Sequence, residues 1–166
     1  MVTKASDVKH IIAVAIRDSE QGFRSIMELA RSEDWKEREV AATILVEVSK
    51  MKPDEVIAEM LLWADHSDPN VRRTASEGLR DIARKNPGSV LPVIEKLKGD
   101  SNPYVKKSVA NVLRNAGNYH PEFVLRTCGE WAQERNNQTA WIIRDALRKL
   151  KVKYPVKVEE IISLSS

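Results

Sequence analysis

The residues best suited to chemistry in this 166-residue chain are cations that recur at a fixed step. Arg80, Arg114 and Arg148 stand 34 residues apart, and Arg38, Arg72 and Lys106 form a second row with the same step. Arg73, Lys107 and Arg144 lie within one helical turn of these rows. Cations repeated along one face suit a polyanion, and several phosphates neutralised together give salt-sensitive binding that positions a nucleic acid without reading its sequence. No acid recurs with the row of Arg80, Arg114 and Arg148. Glu77 sits four residues after Arg73 and three before Arg80, a spacing that pairs charges on one helix face. Asp145 lies one turn after Trp141. An exposed indole beside arginines can stack on a base or a sugar, which marks Trp35 and Trp141. Trp63 and Trp131, two steps apart in register, read as packing residues.

The elements that carry these residues follow from proline. Pro53, Pro87, Pro121 and Pro155 fall at 34-residue intervals, as do Pro69 and Pro103 within the twin segments DPNVRRTASEGL (68–79) and NPYVKKSVANVL (102–113). A period of this size is the signature of a solenoid. Proline fits the first turn of a helix and blocks continuation of the preceding one, so each marks a helix start. Apolar spacing predicts a first helix over 4–17 and a second after Gln21-Gly22, through Phe23, Ile26, Met27, Leu29 and Ala30. A third is predicted over 35–50, entered through Ser32-Glu33-Asp34. The turns are His66 to Pro69, Gly99 to Pro103 and Arg135 to Gln138.

Stepping by 34 also gives an apolar ladder: Ala41, Ala75, Val109 and Ile143, then Leu45, Leu79, Leu113 and Leu147. Each unit therefore buries its apolar face only by stacking on its neighbours. The N-terminal helix is a capping copy and the C-terminal segment half a unit. The expectation is an all-α, right-handed α-solenoid of about five helix pairs, forming one domain over 1–166.

Composition sets the remaining bounds. With 42% hydrophobic and 31% charged residues the chain can bury a core. No apolar run approaches the roughly 18 residues of a membrane span, and MVTKASDVKH lacks the apolar centre of a signal peptide, so the expectation is a cytoplasmic monomer away from membranes. Cys128 is the lone cysteine, and His10, His66 and His120 are scattered, so no metal and no cofactor are expected. Cys128, on an apolar helical stretch, reads as a packed thiol. Residues 1–68 hold 9 basic and 14 acidic side chains, whereas 69–118 hold 10 and 4. That asymmetry points to an anionic partner for the central units.

The period alone is shared with tetratricopeptide arrays, but Trp63, Leu97 and Trp131 are too bulky for that packing. Asp-Pro-x-Val-Arg at 68–72 resembles the helix start of a HEAT repeat. That resemblance implies second helices lining a concave face, with both cation rows along the groove. It also implies an alternative for Arg38 and Arg72, in which the Arg after Val pairs with a turn acid of an adjacent unit, Asp34, Asp68 or Asp100.

Three ordered blocks, VRRTASEGLR (71–80), LKGDSNPYVKKSVANVLRNAGNYHPEFVL (97–125) and WIIRDALRKL (141–150), resemble the DNA alkylation repair family of HEAT-like DNA glycosylases, which excise N-alkylated purines. The resemblance implies duplex DNA on the concave surface, held by Arg72, Arg73, Arg80, Lys106, Lys107, Arg114, Trp141, Arg144 and Arg148. It implies a carboxylate that stabilises the cationic sugar as a charged base leaves. Glu77 occupies the family's acidic position and Asp145 is a second candidate. Asn115 stands where the active branch carries Asp, and Asp81-Ile82-Ala83 follows Arg80 where a Trp is expected. The other reading is a non-catalytic scaffold whose groove binds an acidic protein segment.

Overall fold

The structure, a computed structural model, describes residues 3–166. Those residues form helices and turns only: α1 (Ala5–Arg17), α2 (Ser19–Ala30), α3 (Trp35–Ser49), α4 (Pro53–Trp63), α5 (Pro69–Glu77), α6 (Arg80–Lys85), α7 (Pro87–Leu97), α8 (Pro103–Gly117), α9 (Pro121–Ala132), α10 (Asn137–Ala146), α11 (Leu150–Lys153) and α12 (Pro155–Ser165). α5 with α6, and α10 with α11, are single second helices interrupted once. The units are thus α2–α3, α4–α5/α6, α7–α8 and α9–α10/α11, with α1 a lone second helix and α12 a lone first helix. Four complete pairs and two halves match the expected array.

All six in-register prolines open helices. The second helices share a cap: the side chains of Asp34, Asp68, Asn102 and Asn136, again 34 residues apart, accept from the backbone N–H of Lys36, Asn70, Tyr104 and Gln138 at 2.8–2.9 Å. A short side-chain oxygen at this position satisfies a donor that the helix leaves free. The recurrence of the cap fixes the same entry angle in every unit.

The second helix departs from expectation. α2 begins at Ser19, where Asp18 accepts from the Gln21 N–H at 3.2 Å, so Gly22 lies inside the helix. Its role is contact: a Cβ there would sit 2.3 Å from Ala15 Cα, and the two backbones meet at that point. Glycine read as the boundary before the second helix is here the residue that lets α1 cross α2.

The apolar ladder forms the core. Ala41, Ala75, Val109, Ile143, Leu45, Leu79, Leu113 and Leu147 are all buried within one continuous cluster. α8 packs along α5 on one side and α10 on the other, more closely than α7 meets α4. Closer spacing in the second-helix layer makes that layer the inner, concave one. Trp63 and Trp131 are buried, with indole N–H groups donating to Glu59 and Glu95 at 2.8 Å. Cys128 is fully buried, and desolvation pushes its thiol up to about 12, so it is the packed thiol expected. Among the described residues no helix is long and apolar enough to cross a membrane.

Gly22→Ala should lower unfolding free energy by about 1–3 kcal/mol, the range for overpacking. Gly88→Ala, where a Cβ meets nothing closer than the Asn86 side chain at 3.7 Å, should change it by no more than about 1 kcal/mol. Urea denaturation of the two variants measures the difference.

Candidate nucleic-acid interface

The groove face is set by helical geometry. On a second helix, residues separated by four and three positions share one stripe. Three neighbouring second helices therefore present three triplets in register: Arg73, Glu77 and Arg80 on α5 and α6; Lys107, Asn111 and Arg114 on α8; Trp141, Asp145 and Arg148 on α10 and after it. The corresponding residues of α3 are Glu39, Thr43 and Val46. A row of Glu77, Asn111 and Asp145 thus runs beside the arginine row.

This row corrects the expectation that Arg80, Arg114 and Arg148 lack acids. Arg114 Nη1 donates to Asp145 Oδ2 at 2.9 Å and to the Asp145 carbonyl at 3.2 Å, while its Nη2 donates to Asn111 Oδ1. Arg148 Nε lies 3.0 Å from Asp145 Oδ1, and Arg80 Nη1 lies 3.6 Å from Glu77 Oε2. The acids escape a search for a repeated charge because they recur every second unit, with the neutral Asn111 between. The signal that finds them is the 34-residue step applied to Glu77.

Glu77 is mostly buried, its side chain 12% exposed. Desolvation raises its pKa above the ordinary carboxylate value, Arg73 and Arg80 oppose that rise, Glu39 adds to it, and an Asn111 hydrogen bond opposes it. Arg73 donates Nη2–H to Glu39 Oε1 across the unit boundary, and Arg80 is the guanidinium within ion-pair distance of Glu77, at 3.6 Å.

The other row of cations is structural at Arg38 and Arg72. Arg72 makes a forked contact with Asp100 of the next unit, Nε–Oδ2 2.7 Å and Nη2–Oδ1 3.3 Å, and Nη1 donates to the His66 and Ser67 carbonyls. Arg38 Nη1 donates to the Ser32 and Glu33 carbonyls. Lys106 reaches Gln138 Oε1 at 2.9 Å and lies 5.3 Å over the half-buried Trp141 ring. The turn-acid reading holds for Arg72 alone: among the described residues Arg38 meets no turn acid and bonds only carbonyls of the turn before its own helix, and Lys106 reaches an amide of the following unit. Arg144 is exposed at the register position of Ala42, Ser76 and Ala110, each covered by its following unit, and so stands beside the stripe. Lys107 and Arg148 are exposed along it. Trp35 is 60% exposed at the first position of α3, outside the triplets.

The sequence model described as DNA alkylation repair enzyme matches residues 38–150, more than half of the chain and all three triplets. The chain belongs to that family. Among solved structures it is similar to the Pseudomonas fluorescens alkylpurine DNA glycosylase AlkC bound to DNA containing an abasic site analog, with 26% identity and a TM-score of 0.78 over 93% of this chain. That match covers 44% of the glycosylase, so the chain spans less than half of this family relative. It is also similar to AlkD2 from Streptococcus mutans, with 25% identity, a TM-score of 0.73, and coverage of 86% of this chain and 70% of that one. Among curated proteins, none matches the chain by sequence. Family membership accounts for the helical solenoid.

Two outcomes check this electrostatic picture. Arg114→Ala should lower stability by about 1–3 kcal/mol, because it removes the partly buried partner of Asp145 Oδ2 and leaves that carboxylate only the exposed Arg148, whereas Arg148→Ala should stay within about 0.5 kcal/mol. For Glu77 the folded state binds its proton more tightly than the unfolded chain, so wild-type stability falls as pH rises through the window above the ordinary glutamate pKa. Glu77→Gln has no such loss. Its stability relative to wild type should therefore increase from about pH 4.5 upward and then level off, as read from urea midpoints across pH.

Proposed function

We propose that the stripe formed by α5, α8 and α10 binds duplex DNA and acts on N-alkylated purines. The observation that carries this reading is the registered pair of rows, cations outermost and Glu77 with Asp145 beside them. Lys107, Arg148 and Arg80 contact phosphates, and Arg114 holds Asp145 in place. Arg72 is left out of the interface because Asp100 and two carbonyls occupy its donors. Trp141, fixed under Lys106, offers a ring edge at the end of the stripe. The DNA carried by the Pseudomonas fluorescens glycosylase supports the same ligand here.

An N3- or N7-alkylated purine is cationic, so its departure needs no proton. The C1′–N bond breaks with its electron pair passing to the base, which leaves neutral, and positive charge develops on the sugar. A carboxylate fixed in a desolvated position stabilises that charge without reorganising. Glu77 is so placed, largely withdrawn from water with Arg73 and Arg80 beside it. Water then adds to C1′ and releases a proton.

Duplex affinity measured by fluorescence anisotropy should fall steeply between about 50 and about 200 mM salt. Lys107→Gln with Arg148→Gln should reduce the salt slope by about two, since each phosphate contact contributes roughly one. Absence of duplex binding at low salt would overturn the reading in favour of an acidic protein segment. Excision is checked separately: DNA bearing N3- or N7-alkylated purines should release free base, and Glu77→Gln should slow release on the order of 10²-fold. No release, or equal release from the variant, would remove the catalytic role of Glu77.

A further inference from the structure

A recess of about 270 Å³ opens where α6 meets the end of α8, beyond the triplets. Arg80, Asp81 and Arg84 border it from α6, and Asn115, Asn118 and Tyr119 from the end of α8. Val46 of α3 closes one side. In register, Val46 stands where the other units carry Arg80, Arg114 and Arg148, so the short apolar side chain leaves open the space that a further guanidinium would fill.

Arg84 at this recess is held by a neutral group. Arg84 lies 5.1 Å from the Tyr119 ring centroid and donates Nη2–H to Tyr119 Oη at 3.1 Å. The Arg84 carbonyl is itself engaged by the His120 ring at 2.9 Å, which ties α6 to the turn after α8. Among the described residues no carboxylate comes within 4.0 Å of the Arg84 guanidinium, and Arg80 has only the 3.6 Å contact with Glu77. The one acid on the rim, Asp81, is paired with Lys85 at 3.1 Å. Two guanidinium groups, two side-chain amides and a hydroxyl thus converge, Arg84 with no carboxylate partner among the described residues and Arg80 with only its long contact to Glu77. A planar guanidinium fork suits the paired oxygens of a phosphate, and Tyr119, having accepted from Arg84, keeps its own proton to donate.

We propose that this recess is an anion site that clamps one backbone phosphate of the bound duplex. The inference rests on the DNA reading above and adds to it a single fixed point, which sets where the strand lies relative to Glu77. Glu77 and the recess share Arg80, so the phosphate seated there would also draw Arg80 outward from the carboxylate.

Two substitutions of side chains at this edge test it in the full chain, with circular dichroism to confirm that helicity is retained. Arg84→Gln removes a fork, and Asn115→Asp places a carboxylate against the anion at nearly constant shape. For each, duplex affinity across a salt series should show a slope lower by about one, the signature of a lost phosphate contact. In a second arm, inorganic phosphate should shift the Asn118 side-chain amide resonances of the wild-type protein and leave those of Asn115→Asp in place. An unchanged slope together with unmoved amides overturns the site. Phosphate binding with an unchanged slope assigns the recess to free phosphate and overturns the strand clamp. Wild-type protein that binds no duplex would sink the DNA reading, and the phosphate titration alone would then decide the recess.

Discussion

Every unit of this protein has to bury its apolar stripe against the next one, and the contact that does so is the row Leu45, Leu79, Leu113 and Leu147 between second helices. Removing such side chains from water is the dominant favourable term in folding, and no unit can achieve it alone. Because the leucines occupy one register position, the helices that carry them stack with a common orientation. Whatever lies on the far side of those helices is then also in register. The groove triplets inherit their order from the core.

That inherited order explains an economy of charge on the groove face. Arg114 and Asp145 satisfy each other across a unit boundary, and Arg73 does the same with Glu39. Such pairs, partly withdrawn from water, hold their neighbours in place while contributing little net charge. The attraction for an anion falls chiefly to the exposed Lys107, to Arg148, which is exposed although it shares Asp145 with Arg114, and to Arg84 at the edge of the stripe. A sum of formal charges over the central units overstates what a ligand meets.

The periodic features are legible in the sequence because they are local. A proline at a helix start, a capping Asp or Asn two residues before the N–H it accepts from, and leucines at a constant step all act within a few residues of themselves. Gly22 misleads because its meaning depends on Ala15 in another helix. The candidate site is legible in its residues and not in its connections. Glu77 and Asp145 are visible, yet the fork of Arg72 onto Asp100 and the clamp of Arg114 on Asp145 depend on rotamers and on the angle between units. Asn111 escapes a reading of charges because it breaks their alternation at the point where it links Glu77 to Arg114.

The two interrupted second helices have a mechanical side. Leu79 and Leu147 occupy one register position and share one backbone conformation, φ −95° and ψ 0° against φ −89° and ψ 0°. At each, the helical ladder shortens to a three-residue bond, Leu79 N–H to Ser76 O and Arg148 N–H to Asp145 O. The intervening α8 runs unbroken. Stiff and jointed rods therefore alternate along the inner layer, and a joint bends more readily than a continuous ladder of hydrogen bonds. Both joints lie within two residues of an acid of the groove, so Glu77 and Asp145 each sit beside a break in their helix, on either side of a rod that has none.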